Sequence, residues 1–322
     1  MRYLHYTIIL LIGLTLLACT HQETEKPLRV GFNTWPGYEF IYLAEVKGFY
    51  EKQGVEVKLV ELGALGDVRR AFERGQIDIM ASTMVEVLIA AENTGREIKL
   101  IAATDTSNGS DMLLAKTSIK SLKELKNRRI GMEGATVDIV VASEALQRAQ
   151  LTFQDVTLIT QPQDELVEKF KAGKIDALQT YPPYSVSLLK SGLYHKLFDT
   201  SQAPGLIVDT LSVDAEVLKN RRSEIRKFLH AFFEASEYHK AQPKESNAIM
   251  GKRERLSGEE FAEAIGGMTI ISKNQQKPYL IEKGLGGKAL TSVAKALHST
   301  GWLKNEPQIE TFFDPNITDL TQ

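Results

Sequence analysis

Apolar and polar positions along the chain fall into short blocks of changing period. Residues 29–32 form an apolar run stopped by Asn33, and residues 38–50 carry apolar side chains at helical spacing up to the break at Gly54. That order predicts strand, loop and helix. Val55, Val57, Leu59 and Leu62 predict a second strand, residues 68–74 a helix ended by Gly75, and residues 77–80 a third strand. A helical stretch over 84–93 and an apolar run over 98–103 continue the alternation, which is the pattern of an α/β sheet covered on both faces. Past residues 201–204 the period is mainly helical. Ile225, Phe228, Leu229, Phe232 and Phe233 form one stripe behind Ser223, a candidate N-cap; Ser257 and Glu260 have capping-box spacing, and residues 287–298 predict a further helix.

A repeat spaced about one hundred residues apart overlies this pattern. Arg29-Val30-Gly31 is echoed by Arg129-Ile130-Gly131, and FERGQID (72–78) by FKAGKID (170–176). In both copies a glycine suited to a left-handed helix cap precedes Ile-Asp at the start of a strand. Two similar lobes are implied, and a length of 322 residues with 43% hydrophobic side chains suits two domains better than one.

Composition narrows the partners. The 39 basic and 41 acidic residues nearly cancel, so no electrostatic footprint for nucleic acid is present. A single cysteine, Cys19, excludes an internal disulfide and any cysteine-built metal site. Arg2 and His5 precede an uncharged apolar run over residues 6–18 that is too short to span a bilayer, and it reads as an export signal. The run ends Leu16-Leu17-Ala18-Cys19, resembling a bacterial lipobox. Residues 1–19 are therefore expected to be a lipoprotein signal peptide with Cys19 lipidated, and residues 20–27 a tether. The expected protein is exported and membrane-anchored, periplasmic or at the cell surface.

Catalytic signatures are scarce: there is no His-Glu-x-x-His, no Gly-x-Ser-x-Gly and no P-loop. Gly284, Gly286 and Gly287 are read as turn residues. Loops after strands are more informative. Residues 33–38 and 133–136 occupy equivalent places in the two lobes, as do Ser82-Thr83 and residues 179–181, and each sets backbone N–H groups and hydroxyls at a helix start facing an interlobe cleft. Across residues 33–39, 82–86, 104–111, 133–138 and 179–184 there are six acidic residues, among them Glu39, Asp105 and Asp138, and no Lys or Arg. A multiply charged anion is thus disfavoured, and a zwitterionic or neutral-polar ligand is expected. Trp35, Tyr38, Tyr181 and Tyr184 are available for stacking or cation–π contact.

RVGFNTWPGYEFIYLAEVKGFYEKQGVEVKLVE (29–61), RRAFERGQIDIMASTMVEVL (69–88), GKIDALQTYPPY (173–184) and LFDTSQAPGLIVDTLSV (197–213) resemble the substrate-binding proteins of ABC importers in the nitrate, sulfonate, taurine and thiamine-pyrimidine-precursor superfamily. Tyr181-Pro182-Pro183 departs from the family's frequent Trp-Glu-Pro. The resemblance implies an α/β, type II periplasmic-binding-protein fold, with two lobes joined by two crossovers around a ligand cleft. Lobe one would comprise residues 28–115 plus 206–322 and lobe two 116–205, with hinges near 115–118 and 203–207. Ligand contacts would fall to Trp35, Pro36, Gly37, Tyr38, Ser82, Thr83, Asp105, Thr136, Tyr181 and Asp209, with no cofactor, metal or catalytic residue. The implied protein is a monomeric receptor that captures a small polar or zwitterionic molecule and delivers it to ABC permease subunits. The rivals are a sensing module for a membrane receptor kinase or cyclase and an enzyme of the thiamine-pyrimidine-synthase branch, which has a cysteine-rich motif absent here.

Overall fold

The structure is a computed structural model and describes residues 26–317 and Leu320; Cys19 and the expected signal peptide lie outside the described residues. Two sheets organise the chain. One has the order β11-β4-β10-β3-β1-β2 and the other β7-β6-β8-β5-β9. The strands are β1 (Leu28–Phe32), β2 (Val57–Glu61), β3 (Ile79–Thr83), β4 (Ile98–Ser107), β5 (Met112–Lys116), β6 (Arg129–Met132), β7 (Thr157–Thr160), β8 (Ala177–Thr180), β9 (Tyr194–Asp199), β10 (Val208–Asp214) and β11 (Met268–Ile270). In lobe one β1 runs parallel to β2 and β3, and β10 runs antiparallel between β3 and β4. Lobe two repeats the scheme, with β6 parallel to β7 and β8, and β5 antiparallel between β8 and β9.

The first sheet thus takes its central strand β10 from beyond the return passage, whereas the strands of the second are contiguous in sequence. β5 is hydrogen-bonded in the second sheet, so the first passage between lobes falls at residues 108–111. The boundary expected after residue 115 comes too late for the sheet topology. The physical reason is that the apolar residues of β5 are buried, as a strand between two neighbours requires. The return passage runs through residues 200–207. Ser107 and Thr200 hydroxyls meet at 2.7 Å, Gly109 N–H donates to Thr200 Oγ1 at 2.8 Å, and Thr200 N–H to Asp111 O at 3.0 Å. The two passages are thus stitched side by side.

The sequence repeat has a local cause. Arg29 donates from its backbone N–H and Nε to Asp78 Oδ2 at 2.9 and 3.0 Å, from Nη2 to Asp78 Oδ1 at 2.6 Å, and from Nη1 to Gly75 O at 2.8 Å. Arg129 makes the same clamp on Asp176 and Gly173, all between 2.9 and 3.0 Å. The guanidinium holds the Asp176 carboxyl at about 2. Gly31 and Gly131 are glycine because a Cβ would lie 2.4 Å from Ile77 Cδ1 in one lobe and 2.8 Å from Ile175 Cδ1 in the other. Asp176→Ala is expected to cost about 1–2 kcal/mol, since it leaves Arg129 N–H unmet and breaks a forked but partly solvated pair; urea unfolding measures it, and an unchanged midpoint would refute the clamp.

The helical C-terminal part wraps lobe one. Helix Arg222–Ala241 packs against Glu39–Val46 and Phe49–Gln53 through Phe40–Phe232 at 6.1 Å and Tyr50–Phe228 at 5.6 Å. It begins after Arg221, so Ser223 is inside the first turn and is not the cap. Ser257 and Glu260 make both bonds of the capping box. Helix Leu285–Ser299 touches helix Met84–Thr94 of lobe one and Asp138–Arg148 of lobe two, spanning the interlobe boundary. Among the described residues no helix is long and apolar enough to cross a membrane.

Candidate ligand-binding cleft

The lobes meet at the C-terminal ends of their parallel strands, where loops leave each sheet to start helices. From β1 the chain enters Trp35 and the short turn Pro36–Tyr38. Trp35 meets Tyr181, which follows β8 in the other lobe, edge to face at 6.0 Å and 75°. Tyr181 in turn lies 5.8 Å from Tyr184 and donates its hydroxyl to Glu133 Oε2 at 3.2 Å.

Carboxylates stand behind these rings. Asp105 on β4 and Asp209 on β10 are direct cross-strand partners. Trp35 Nε1 donates to Asp105 at 3.3 Å, Thr104 Oγ1 donates to Asp105 Oδ2 at 2.9 Å, and Tyr38 hydroxyl donates to Asp209 Oδ1 at 2.5 Å. Gly37 is required here: a Cβ would fall 1.9 Å from Asp105 Oδ2. Burial pushes both aspartates above the usual carboxylate range, and the charge of Asp105 raises Asp209 further. Like charges on neighbouring strands disfavour ionising both at once. Burial also raises Asp111 to about 7, Glu86 to about 6 and Glu133 to about 8, and Asp138 well above its ordinary value. Glu39, the sixth acid of the loops, is drawn away from this group by Arg253, whose Nε and Nη2 reach it at 2.5–3.0 Å.

A cavity of about 10 Å³ lies between the lobes, lined by Asn33, Trp35, Tyr38, Leu65, Thr83, Asp111, Val137, Tyr181 and Asp209. That is room for one water, so the cleft is closed. Asn33 Oδ1 and Asp209 Oδ2 are buried in this lining with no hydrogen-bond partner. The lining contains no Lys or Arg. What it offers is two unmet acceptors, a second carboxylate at Asp111, and aromatic faces.

Of the residues singled out from the sequence, Trp35, Tyr38, Thr83, Tyr181 and Asp209 line the cavity. Pro36 and Gly37 form the turn behind them, and Asp105 sits beneath Trp35 and Gly37. Ser82 hydroxyl turns to Thr83 O at 3.4 Å, and Thr136 Oγ1 to Glu133 O at 3.1 Å, so neither hydroxyl lines the cavity. Leu65 and Val137 were missed because nothing marks one apolar residue as facing a cavity rather than the core. Asn33 and Asp111 stood in the right loops without being selected.

The loop amides, which the sequence reading expected to be free, are occupied. Thr83 N–H donates to Glu86 Oε2 at 3.0 Å, Val137 N–H to Glu86 Oε1 at 2.8 Å, and Glu133 N–H to Asp138 Oδ2 at 2.7 Å. The chain's own carboxylates fill them. Among the described residues no group of three or more His, Cys, Asp or Glu is arranged to hold a metal ion.

A protein-family model described as NMT1/THI5 like matches residues 35–246, from Trp35 through both interlobe passages. The chain belongs to the NMT1/THI5-like family. A protein named as a binding protein in Brucella abortus is 22% identical over 314 residues, covering 91% of this chain and 92% of its own. The 4-amino-5-hydroxymethyl-2-methylpyrimidine phosphate synthase THI5 of Saccharomyces cerevisiae is 25% identical over 218 residues, 63% of each chain. Among solved structures, the periplasmic aliphatic sulphonate binding protein SsuA from Escherichia coli superposes with a TM-score of 0.75 at 18% identity, over 90% of this chain and 92% of that one. This NMT1/THI5-like chain therefore has the two-lobe periplasmic-binding-protein fold, with the Asp105–Asp209 pair and the Trp35–Tyr181 contact at its interlobe cleft.

Proposed function

We propose that this chain is an extracytoplasmic solute receptor that captures a small, N–H-donor-rich molecule, an amine or aminopyrimidine, between its lobes and hands it to the permease of an ABC-type importer. The observation that carries the ligand class is the cavity lining: Asp209 Oδ2 and Asn33 Oδ1 lack partners, Asp111 stands beside them, and no cation lines the space. A sulfonate or nitrate would meet carboxylates there. An exocyclic amine or a protonated ring nitrogen would satisfy them, with Trp35, Tyr38 and Tyr181 as stacking faces. The sequence similarity to a synthase named for an aminopyrimidine and the structural similarity to a sulfonate-binding protein frame the two alternatives, and the acidic lining favours the first. Phosphorylated pyrimidines are disfavoured for want of a cationic partner.

Hinge closure explains binding without covalent chemistry, because a ligand touching both lobes stabilises the closed state alone. The apolar N-terminal run ending at Cys19 supports export and lipid anchoring; Cys19→Ala moving the protein into a soluble fraction checks that part.

The cargo is tested by a thermal-shift screen of aminopyrimidines and small amines against alkanesulfonates, taurine and nitrate. A true ligand at ~1,000 times its Kd adds about 4 kcal/mol of stability. Asp209→Asn retains an acceptor for Tyr38 and relieves repulsion with Asp105, so the variant folds; it is expected to weaken an amine ligand about 30-fold or more, the cost of losing a buried charge partner. A response to sulfonates alone, or full affinity in the variant, would overturn this ligand class.

A further inference from the structure

Glu86 has a role that neither the capping of its own helix nor the cavity lining accounts for. Its carboxylate is fully buried. Oε2 accepts Thr83 N–H at 3.0 Å and Thr83 Oγ1 at 2.6 Å, which is the capping box of helix Met84–Thr94 in lobe one. Oε1 accepts the backbone N–H of Val137 at 2.8 Å, and Val137 is the N-cap residue of helix Asp138–Arg148 in lobe two. One anionic side chain thus lies between two helix N-termini, one from each lobe, and takes a donor from both. Such a position attracts an anion through aligned peptide dipoles and unsatisfied amides. Around it stand Glu133, Asp138 and Asp111, which repel a second anion, and Arg69, whose charge favours the ionised carboxylate.

We propose that Glu86 is a built-in substitute for an anionic ligand: its carboxylate occupies the seat between the Thr83 and Val137 amides, bars free anions from the cleft, and latches the lobes together. The latch accounts for a cleft that is closed around room for a single water. Exclusion of anions rests on, and deepens, the reading of the cleft as a site for donor-rich ligands. Selectivity of this kind is set by an occupied seat as much as by new attraction to the right cargo.

The test needs no cargo. The full chain, wild type and Glu86→Ala, is titrated with methanesulfonate and with nitrate against chloride at equal ionic strength, following heat and the melting temperature. Wild type is expected to show no anion-specific response, and Glu86→Ala to bind either anion at least about tenfold more tightly. A folded Glu86→Ala that ignores both anions, or a wild type that binds them equally well, overturns the proposal. Glu86→Gln keeps the volume and guards against misfolding of the smaller variant. In it the Val137 amide hydrogen is expected to exchange at least about tenfold faster, while that of Ala142 inside the same helix is unchanged. Equal exchange at Val137 in Glu86→Gln and wild type also overturns it. A wild type that binds no amine or pyrimidine would defeat the ligand reading and leave this result standing.

Discussion

The ligand-free protein is expected to unfold at a higher temperature at pH 5.5 than at pH 8. Asp111 and Glu86 titrate at about 7 and about 6 because burial penalises their charged forms, and Glu133, Asp138, Asp105 and Asp209 are raised by the same cause. Each folded-state value lies above that of the unfolded chain, so folding takes up protons between them. The stability linked to these protons is fully present below about pH 4 and is lost as pH rises through 6 to 8. A single carboxyl titrating near 7 links about 2 kcal/mol to the interval from 5.5 to 8, or roughly 5 °C in a chain of this size, and several contribute. Arg69 and Arg70 oppose the trend at Glu86 and Glu133 without reversing it. Melting curves at constant ionic strength measure the difference; a protein more stable at pH 8 would contradict the assignment. A cationic ligand replaces those protons, so its binding at neutral pH is expected to release protons in calorimetry run in two buffers.

Gly287→Ala is expected to cost at least about 3 kcal/mol and roughly 10 °C. A Cβ at 287 would lie 1.6 Å from Glu282 O, one at 286 would lie 1.8 Å from Tyr279 O, and one at 284 would lie 2.2 Å from Pro278 O. All three obstacles are backbone oxygens and cannot rotate aside. The triplet lets the segment before helix Leu285–Ser299 fold tightly onto the helix start; Gly286 and Gly287, read from the sequence as turn residues, lie inside the first turn of that helix. Gly63→Ala, where nothing lies within 4 Å of the new methyl, is the control and should stay within about 0.5 kcal/mol of wild type. Equal melting temperatures for the two variants would sink the close-approach account.

Much of the fold was legible because it is written in local periodicity and in a repeat. The Arg-apolar-Gly and Gly-x-Ile-Asp echoes marked both lobes, and the structure ties them together as one clamp used twice. That the aspartate answers an arginine 49 residues away in one lobe and 47 in the other is a long-range contact no window shows. The same limit hid the membership of β5, whose apolar residues suit either sheet. The cleft loops were found as loops, since strand-to-helix turns carry a polar signature. Their chemistry was read with the donors free, whereas Glu86 and Asp138 satisfy them from positions three and five residues further on. Glu86 has the spacing of a capping box behind Thr83, a signal present in the sequence but unused; its second bond, to Val137 across the cleft, had none.

The late arrival of the central strand of lobe one also orders events during synthesis. All five strands of lobe two lie between Met112 and Asp199, so that lobe can assemble from one contiguous stretch as it emerges. Lobe one cannot, because β3 and β4 have no partner in each other and wait for β10 at Val208–Asp214 to enter between them. The first lobe to be translated is thus the second to be completed: until residue 214 arrives β4 stands apart from the β3-β1-β2 half-sheet, and its outer neighbour β11 at Met268–Ile270 joins later still.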